Sequence, residues 1–202
     1  ILLIGHQEHD EVVGTMGEAP EATIVVSSEA DAETVVVPNP DKVCYLTQTT
    51  LSLDETAGIV ERLKRRFPRI QGPPAQDICY ATENRQMAVK AVASTCQLLL
   101  VVGSQNSSNS RRMVEVCLNQ GTPAYLVDDE RDVKPEWLDG VETVVVTAGA
   151  SAPEHLVEQL VDALRSRWGF SEMEEMQIKD EDVRFSLPPE LSQASKLTQI
   201  AL

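Results

Sequence analysis

The stretch Gly103-Ser104-Gln105-Asn106-Ser107-Ser108-Asn109-Ser110 follows the apolar run Gln97-Leu98-Leu99-Leu100-Val101-Val102 and precedes Arg111-Arg112-Met113-Val114-Glu115-Val116-Cys117-Leu118. The apolar run has the length and β-branching of a buried strand. The segment after it reads as a helix ended by Gly121. The eight polar residues therefore form a strand-to-helix turn, where unpaired helix N–H groups and hydroxyl side chains converge. Such a turn either caps its helix or holds an anion, and taken alone it leaves both open.

The same construction occurs twice more. Asp41-Lys42-Val43-Cys44-Tyr45-Leu46 runs into Thr47-Gln48-Thr49-Thr50-Leu51-Ser52 and then a helical pattern from Asp54 to Phe67. Val141-Glu142-Thr143-Val144-Val145-Val146 runs into Thr147-Ala148-Gly149-Ala150-Ser151-Ala152-Pro153 and then a helix from Glu154 to Trp168. Pro153 suits a first helical position, with Ser151 or Ala152 as the cap. Three hydroxyl-rich turns at the carboxyl ends of parallel strands point to one ligand cavity, because open α/β sheets bind ligands there. The fold class expected is α/β, as two similar small domains with mostly parallel sheets. Gln71-Gly72-Pro73-Pro74-Ala75 is the best linker, which divides the chain into 1–72, 73–169 and a carboxyl-terminal tail, 170–202.

The chain opens with a further strand, Ile1-Leu2-Leu3-Ile4, ending at Gly5, and carries no initial Met. It reads as lacking an amino-terminal part. The loop that follows, His6-Gln7-Glu8-His9-Asp10-Glu11, is dense in groups that carry protons. Two histidines three apart among carboxylates suit a metal site or a proton-transfer set; a solvated polar loop is the plain alternative. Ala22 to Ser27 reads as a strand, and Glu29 to Glu33 as a helical turn. In the helix from Asp54, Ile59, Val60, Leu63 and Phe67 recur at helical spacing, and Lys64, Arg65, Arg66 and Arg69 suit its carboxyl end.

The formal net charge of −15 excludes nucleic acid as a partner, since its phosphates would be repelled. A small phosphorylated ligand stays compatible, because contact groups act at short range while distant charge is screened. No apolar run reaches the roughly 20 residues a membrane span requires, so no membrane partner is expected. The four cysteines, Cys44, Cys79, Cys96 and Cys117, form no CxxC pair, which suits a reducing cytoplasm. Cys79 falls in a loop before a helix expected over Arg85 to Ser94. A sulfur near a helix start has its thiolate favoured and can act as nucleophile or metal ligand. Cys44, Cys96 and Cys117 read as buried, inert thiols. Val183 to Pro189 reads as a short edge strand.

Taken in order, Gly5-His6…His9-Asp10-Glu11-Val12…Gly14-Thr15-Met16-Gly17, Thr47-Gln48-Thr49-Thr50-Leu51-Ser52, Asp77-Ile78-Cys79-Tyr80-Ala81-Thr82…Asn84-Arg85-Gln86, Val102-Gly103-Ser104…Asn106-Ser107-Ser108-Asn109-Ser110 and Thr147-Ala148-Gly149-Ala150-Ser151-Ala152-Pro153 resemble the 4-hydroxy-3-methylbut-2-enyl diphosphate reductase family. Five motifs in sequence carry the resemblance, which extends to about residue 190. It implies three similar α/β domains around a 4Fe-4S iron–sulfur cluster, with one cysteine from each domain, and the last step of non-mevalonate isoprenoid synthesis. It implies Cys79 as a cluster ligand, the two other ligand cysteines and two further histidines lying in an amino-terminal region outside these residues. It implies that His9 contacts the substrate, that Glu11 donates a proton, and that Thr49 lies near the substrate's hydroxymethyl end. It implies that Ser107, Ser108, Asn109 and Ser151 hold the diphosphate. An electron donor such as ferredoxin or flavodoxin is implied as partner, and these residues alone are expected to hold no stable cluster. The alternative from another class is a non-catalytic module binding a phosphorylated ligand, which would need neither Cys79 nor the His9 and Glu11 pair.

Overall fold

The computed structural model describes residues 1–74, 77–179, 183, 186 and 188. Among them, two three-stranded parallel sheets carry the architecture. The first contains β1 (Leu2–Ile4), β2 (Ile24–Val26) and β3 (Tyr45–Thr47) in the order β2-β1-β3. The second contains β4 (Leu98–Val102), β5 (Ala124–Val127) and β6 (Val144–Ala148) in the order β5-β4-β6. In each sheet the central strand comes first in the chain, and every residue of both central strands is apolar and buried. Parallel strands covered on both faces require that. The expected α/β class is what the chain adopts, and both sheets are parallel throughout.

Helices α1 (Asp10–Glu18), α2 (Glu29–Thr34) and α3 (Leu53–Arg66) follow the three strands of the first sheet. Helix α4 (Tyr80–Val92) comes next, and α5 (Ser108–Asn119) and α6 (Glu154–Trp168) follow β4 and β6. Alternation along β4 separates two cores. Leu99 and Val101 pack with Val89, Val92, Met113 and Val116 of α4 and α5. Leu98, Leu100 and Val102 pack with Leu160 and Leu164 of α6. Burying each such side chain contributes about 1.5–3 kcal/mol relative to exposure. In the first core, Ile59, Leu63 and Phe67, four apart on α3 and its end, meet Leu2 and Ile4. Arg66 at the basic end of α3 ties that helix to the end of α2, donating to the carbonyl oxygen of Val35 at 2.7 Å.

Several elements differ from their sequence reading. Helix α4 starts at Tyr80 rather than Arg85, so Cys79 is its N-cap residue itself rather than part of a loop ahead of the helix. Its first turn is held by tertiary contact, with Thr82 buried and the Cys79 N–H donating to the carbonyl oxygen of Thr49 at 3.0 Å. Tertiary packing overrides weak local propensity there. Helix α5 starts inside the polar stretch, at Ser108, because the Ser107 hydroxyl accepts the Ser110 N–H and caps it. Pro153 is itself the extended N-cap of α6, so neither Ser151 nor Ala152 has that role. Cys44 and Cys96 are half-buried; of the three thiols read as core, only Cys117 is fully so. Cys44 lies at the sheet edge, paired through its backbone with Gln71, so the segment expected as linker begins as a strand-like extension. Beyond it, Ile78 joins the first core. The edge strand expected over 183–189 lies, apart from Val183, Ser186 and Pro188, outside the described residues.

Candidate functional site at the strand ends

Each sheet has a switch point, where the chain leaves the central strand toward one side and its outer neighbour toward the other. The site residues gather at both. At the first, Glu11 after β1 meets Thr49 after β3. The Thr49 N–H donates to Glu11 Oε1 at 2.9 Å and the Thr49 hydroxyl to Glu11 Oε2 at 3.1 Å. Because the Thr49 carbonyl accepts the Cys79 N–H, the half-buried sulfur-bearing residue is tied directly to this pair. Asp77 fixes the same turn from below, its Oδ2 accepting the Thr47 N–H at 2.9 Å. Buried Gln86 of α4 accepts the Leu53 N–H and donates to the Leu51 carbonyl.

At the second switch point, Asn109 after β4 meets Ala150 after β6, the Ala150 N–H donating to Asn109 Oδ1 at 3.3 Å. The Ser107 hydroxyl oxygen accepts from both the N–H and the hydroxyl of Ser110. His9 links the two halves. Its Nδ1 accepts the Glu11 N–H at 3.2 Å, so the neutral ring carries its proton on Nε2, which donates to Ser108 Oγ at 2.8 Å. The acceptor atoms of Ser107, Ser108 and Asn109 are thus satisfied within the protein. Among the described residues, two O–H groups and one amide NH2 are left as donors at the amino end of α5. Donors at a helix start suit an anion. Ser151 stands exposed in the turn before α6, next in the chain to Ala150.

The two histidines do not converge on a common point. His6 turns to Arg112 of α5, whose Nη2 donates to His6 Nε2 at 3.1 Å, while His9 turns to Ser108. Among the described residues no group of three or more His, Cys, Asp and Glu side chains is arranged to hold a metal. Partial burial, and then the neighbouring Arg112 charge, lower the pKa of His6. Burial raises the Cys96 thiol and pushes Cys117 up to about 11, which leaves both protonated and unreactive near neutral pH. A cleft of about 890 Å³ opens beside the His9–Ser108 contact, lined by His6, His9, Ser108, Arg111, Arg112 and Glu115 among others. Glu11, Thr49 and Cys79 are not among the residues lining it, so this cleft and the acid–sulfur corner are different places. Arg112 and Gln86 carry structural contacts that spacing alone did not mark; both stand inside or directly after quoted motifs, which was the available signal.

The sequence and the fold are both similar to known proteins. The E-1-hydroxy-2-methyl-but-2-enyl-4-diphosphate reductase of Plasmodium falciparum superposes with a TM-score of 0.89 at 34% identity, covering 98% of this chain and 63% of that one. The 4-hydroxy-3-methylbut-2-enyl diphosphate reductase of Leifsonia xyli is 53% identical over 192 residues, 95% of this chain and 57% of the relative. The enzyme of the same name from Acidothermus cellulolyticus is 54% identical over 197 residues, 97% of this chain and 58% of the relative. The chain therefore spans less than two thirds of the length of these relatives. No described helix is long and apolar enough to cross a membrane. The sequence profile of the LytB protein family matches residues 1–165, a span that runs through both sheets and all the turns just described, and the chain belongs to that family.

Proposed function

We propose that the chain is the second and third α/β units, divided near residue 72 and followed by a tail from residue 170, of a cytoplasmic reductase. That enzyme converts 4-hydroxy-3-methylbut-2-enyl diphosphate into isopentenyl and dimethylallyl diphosphate. The observation that carries the reading is the donor set at α5, where the acceptors of Ser107, Ser108 and Asn109 are already engaged and their donors are left for a diphosphate. Ser151 adds a hydroxyl from the neighbouring turn. Neutral donors and a helix start select by geometry, which reconciles an anionic substrate with an acidic protein.

The reaction breaks an allylic C–O bond, forms a C–H bond and releases water, taking up two electrons and two protons. A 4Fe-4S cluster, when bound, supplies the electrons from a donor of the ferredoxin or flavodoxin type and a Lewis-acidic iron for the hydroxyl oxygen. Cys79 fits such a group as one thiolate ligand: it is half-buried at a helix start whose first N–H groups have no side-chain cap. The remaining ligands would come from elsewhere in the full protein. Glu11 is the proton donor, and Thr49, whose N–H and hydroxyl both donate to its carboxyl oxygens, orients it toward the hydroxymethyl end. His9 orients Ser108 and contacts the substrate on the other side.

The test uses the full-length protein, reconstituted anaerobically with iron and sulfide and assayed by oxidation of a reduced electron donor. Addition of the allylic diphosphate should start donor oxidation and yield both five-carbon diphosphates. Cys79→Ser should abolish turnover together with the visible absorption of the cluster; unchanged turnover in that variant refutes the assignment.

A further inference from the structure

Outside the residues assigned so far, one polar cluster joins the two halves. Arg112 lies one turn along α5 from Ser108, and its side chain is 11% exposed. Its guanidinium contacts three elements at once. It donates to Glu55 Oε2 on α3 at 3.1 Å, to Glu115 on its own helix, and to His6 Nε2 after β1 at 3.1 Å. The His6 carbonyl in turn accepts the His9 N–H at 2.9 Å, and the His6 N–H donates to buried Gln48 at 3.1 Å. One guanidinium thus connects the loop that ends in His9 to the helix that begins with Ser107, Ser108 and Asn109.

We infer that Arg112 and neutral His6 form a clamp that positions the His9 loop against the amino end of α5, and so sets the spacing of the diphosphate-binding donors. Arg112 is a positioning residue in this scheme, since it acts through His6 and through its own helix. The planar fork is needed because three acceptors in different directions must be met by one cation, which an ammonium on a flexible stem does poorly. The clamp also depends on protonation. His6 Nε2 accepts from Arg112 only while that nitrogen is unprotonated, and a protonated ring would place two cations in contact.

The direction of the pH effect follows from the groups around His6. Arg112 on α5 and His9 on its own loop oppose its protonation, and Glu55 on α3 and Glu115 on α5 favour it; Arg111 on α5, Glu8 on the loop and Glu29 on α2 line the same cleft. Burial and Arg112 outweigh the carboxylates, so the pKa lies below the ordinary histidine value. A histidine whose folded pKa is depressed gives a contribution that is complete above its unfolded value, near 6.5, and is lost as pH falls through the folded one. The clamp is therefore closed at neutral pH and opens on the acid side.

The inference rests on the reductase reading for its importance, but its test does not. In the full-length holoprotein, the dissociation constant of inorganic pyrophosphate is measured for the parent, Arg112→Met, Arg112→Lys and His6→Gln, alongside KM and kcat for the allylic diphosphate. Arg112→Met should weaken pyrophosphate and raise KM about tenfold, the effect of one or two lost hydrogen bonds, while kcat falls less than about threefold. Arg112→Lys should recover little of this. His6→Gln, whose amide oxygen replaces Nε2 as acceptor without titrating, should bind like the parent at pH 7.5. It should lack the part of the acid-side weakening that His6 causes; titration of pyrophosphate and of groups common to both proteins cancels in the comparison. Unchanged pyrophosphate binding in a folded Arg112→Met overturns the clamp, and an identical acid limb in His6→Gln overturns its pH dependence. Should Arg112→Met fail to fold, the His6→Gln arm decides. A parent protein that binds pyrophosphate but does not reduce the allylic diphosphate defeats the functional reading and leaves the clamp to be judged on binding.

Discussion

The turn after β1 and the turn after β4 share one backbone plan and differ in nearly every side chain. Gly5 donates to Val26 O at 3.1 Å as Gly103 donates to Val127 O at 2.9 Å, and Gln48 donates to Ile4 O as Gly149 does to Val102 O, both at 2.8 Å. Four residues after each glycine comes the helix cap, His9 in one and Ser107 in the other. Seven residues after it comes the side chain that faces the glycine, Val12 in one and Ser110 in the other. Where the outer strand of the first half carries Gln48, the second carries Gly149. The first turn is closed by an apolar plug and a buried amide; of its polar groups Glu11 pairs with Thr49, while His6 and His9 reach across to Arg112 and Ser108. The second is closed by a hydroxyl, which leaves its neighbours as donors. In the proposed function, one frame serves proton transfer in one half and anion binding in the other.

Kinetics can break that division most directly. In the full-length enzyme Glu11→Gln removes the proton source, keeps the shape, and should lower kcat by about 10²–10⁴-fold with little change in KM. Asn109→Ala removes a donor to the diphosphate and the bond to Ala150, and should raise KM about tenfold with a smaller change in kcat. Steady-state measurements on the two variants suffice. If both move the same constant, the two halves do not divide the work as their hydrogen bonds suggest.

Next in size are the glycines at the two turns. A Cβ on Gly5 would stand 2.6 Å from a methyl of fully buried Val12 and 3.1 Å from Gln48. Neither can retreat, so Gly5→Ala should cost about 1–3 kcal/mol, read as a lower denaturant midpoint. A Cβ on Gly103 meets chiefly the Ser110 hydroxyl. That group can rotate, at the expense of its 3.0 Å bond to Ser107. Gly103→Ala should therefore lose less stability than Gly5→Ala and show its effect in KM. Equal loss of stability with unchanged KM would remove the distinction between plug and hydroxyl.

The strands and the longer helices were legible because their signals are local. Leu98 to Val102 and the spacing of Ile59, Leu63 and Phe67 fix a buried strand and an amphipathic helix without reference to anything distant. The three hydroxyl turns were legible as turns, and their order as a family pattern. What could not be read was which side chain meets which across the halves. The His9–Ser108 contact joins residues 99 apart and the Arg112–His6 contact residues 106 apart, and no local period encodes either. The start of α4 was missed for the same reason: its first turn depends on the carbonyl of Thr49, a residue on another element. Pairing of His6 with His9 through spacing was likewise a local inference that tertiary contacts redirected.

The smallest effects concern how α4 joins the first half, and they separate two kinds of contact. Gln86 is 1% exposed and makes two hydrogen bonds to the backbone at Leu51 and Leu53. Lys90, one turn on, pairs with Asp54 at 2.6 Å, but Asp54 is 73% exposed. Truncating Gln86 strands a buried N–H and a buried carbonyl, whereas truncating Lys90 returns Asp54 to water. Gln86→Ala should cost about 1–3 kcal/mol, and Lys90→Ala less than about 1 kcal/mol. Salt sharpens the contrast, since raising it screens the exposed pair and leaves the buried amide untouched. Denaturant midpoints of both variants at low and high salt provide the measurement. A Lys90→Ala loss that matches Gln86→Ala and persists at high salt would mean that charge, not the buried amide, fixes the helix that begins at Cys79 to the turn that carries Thr49.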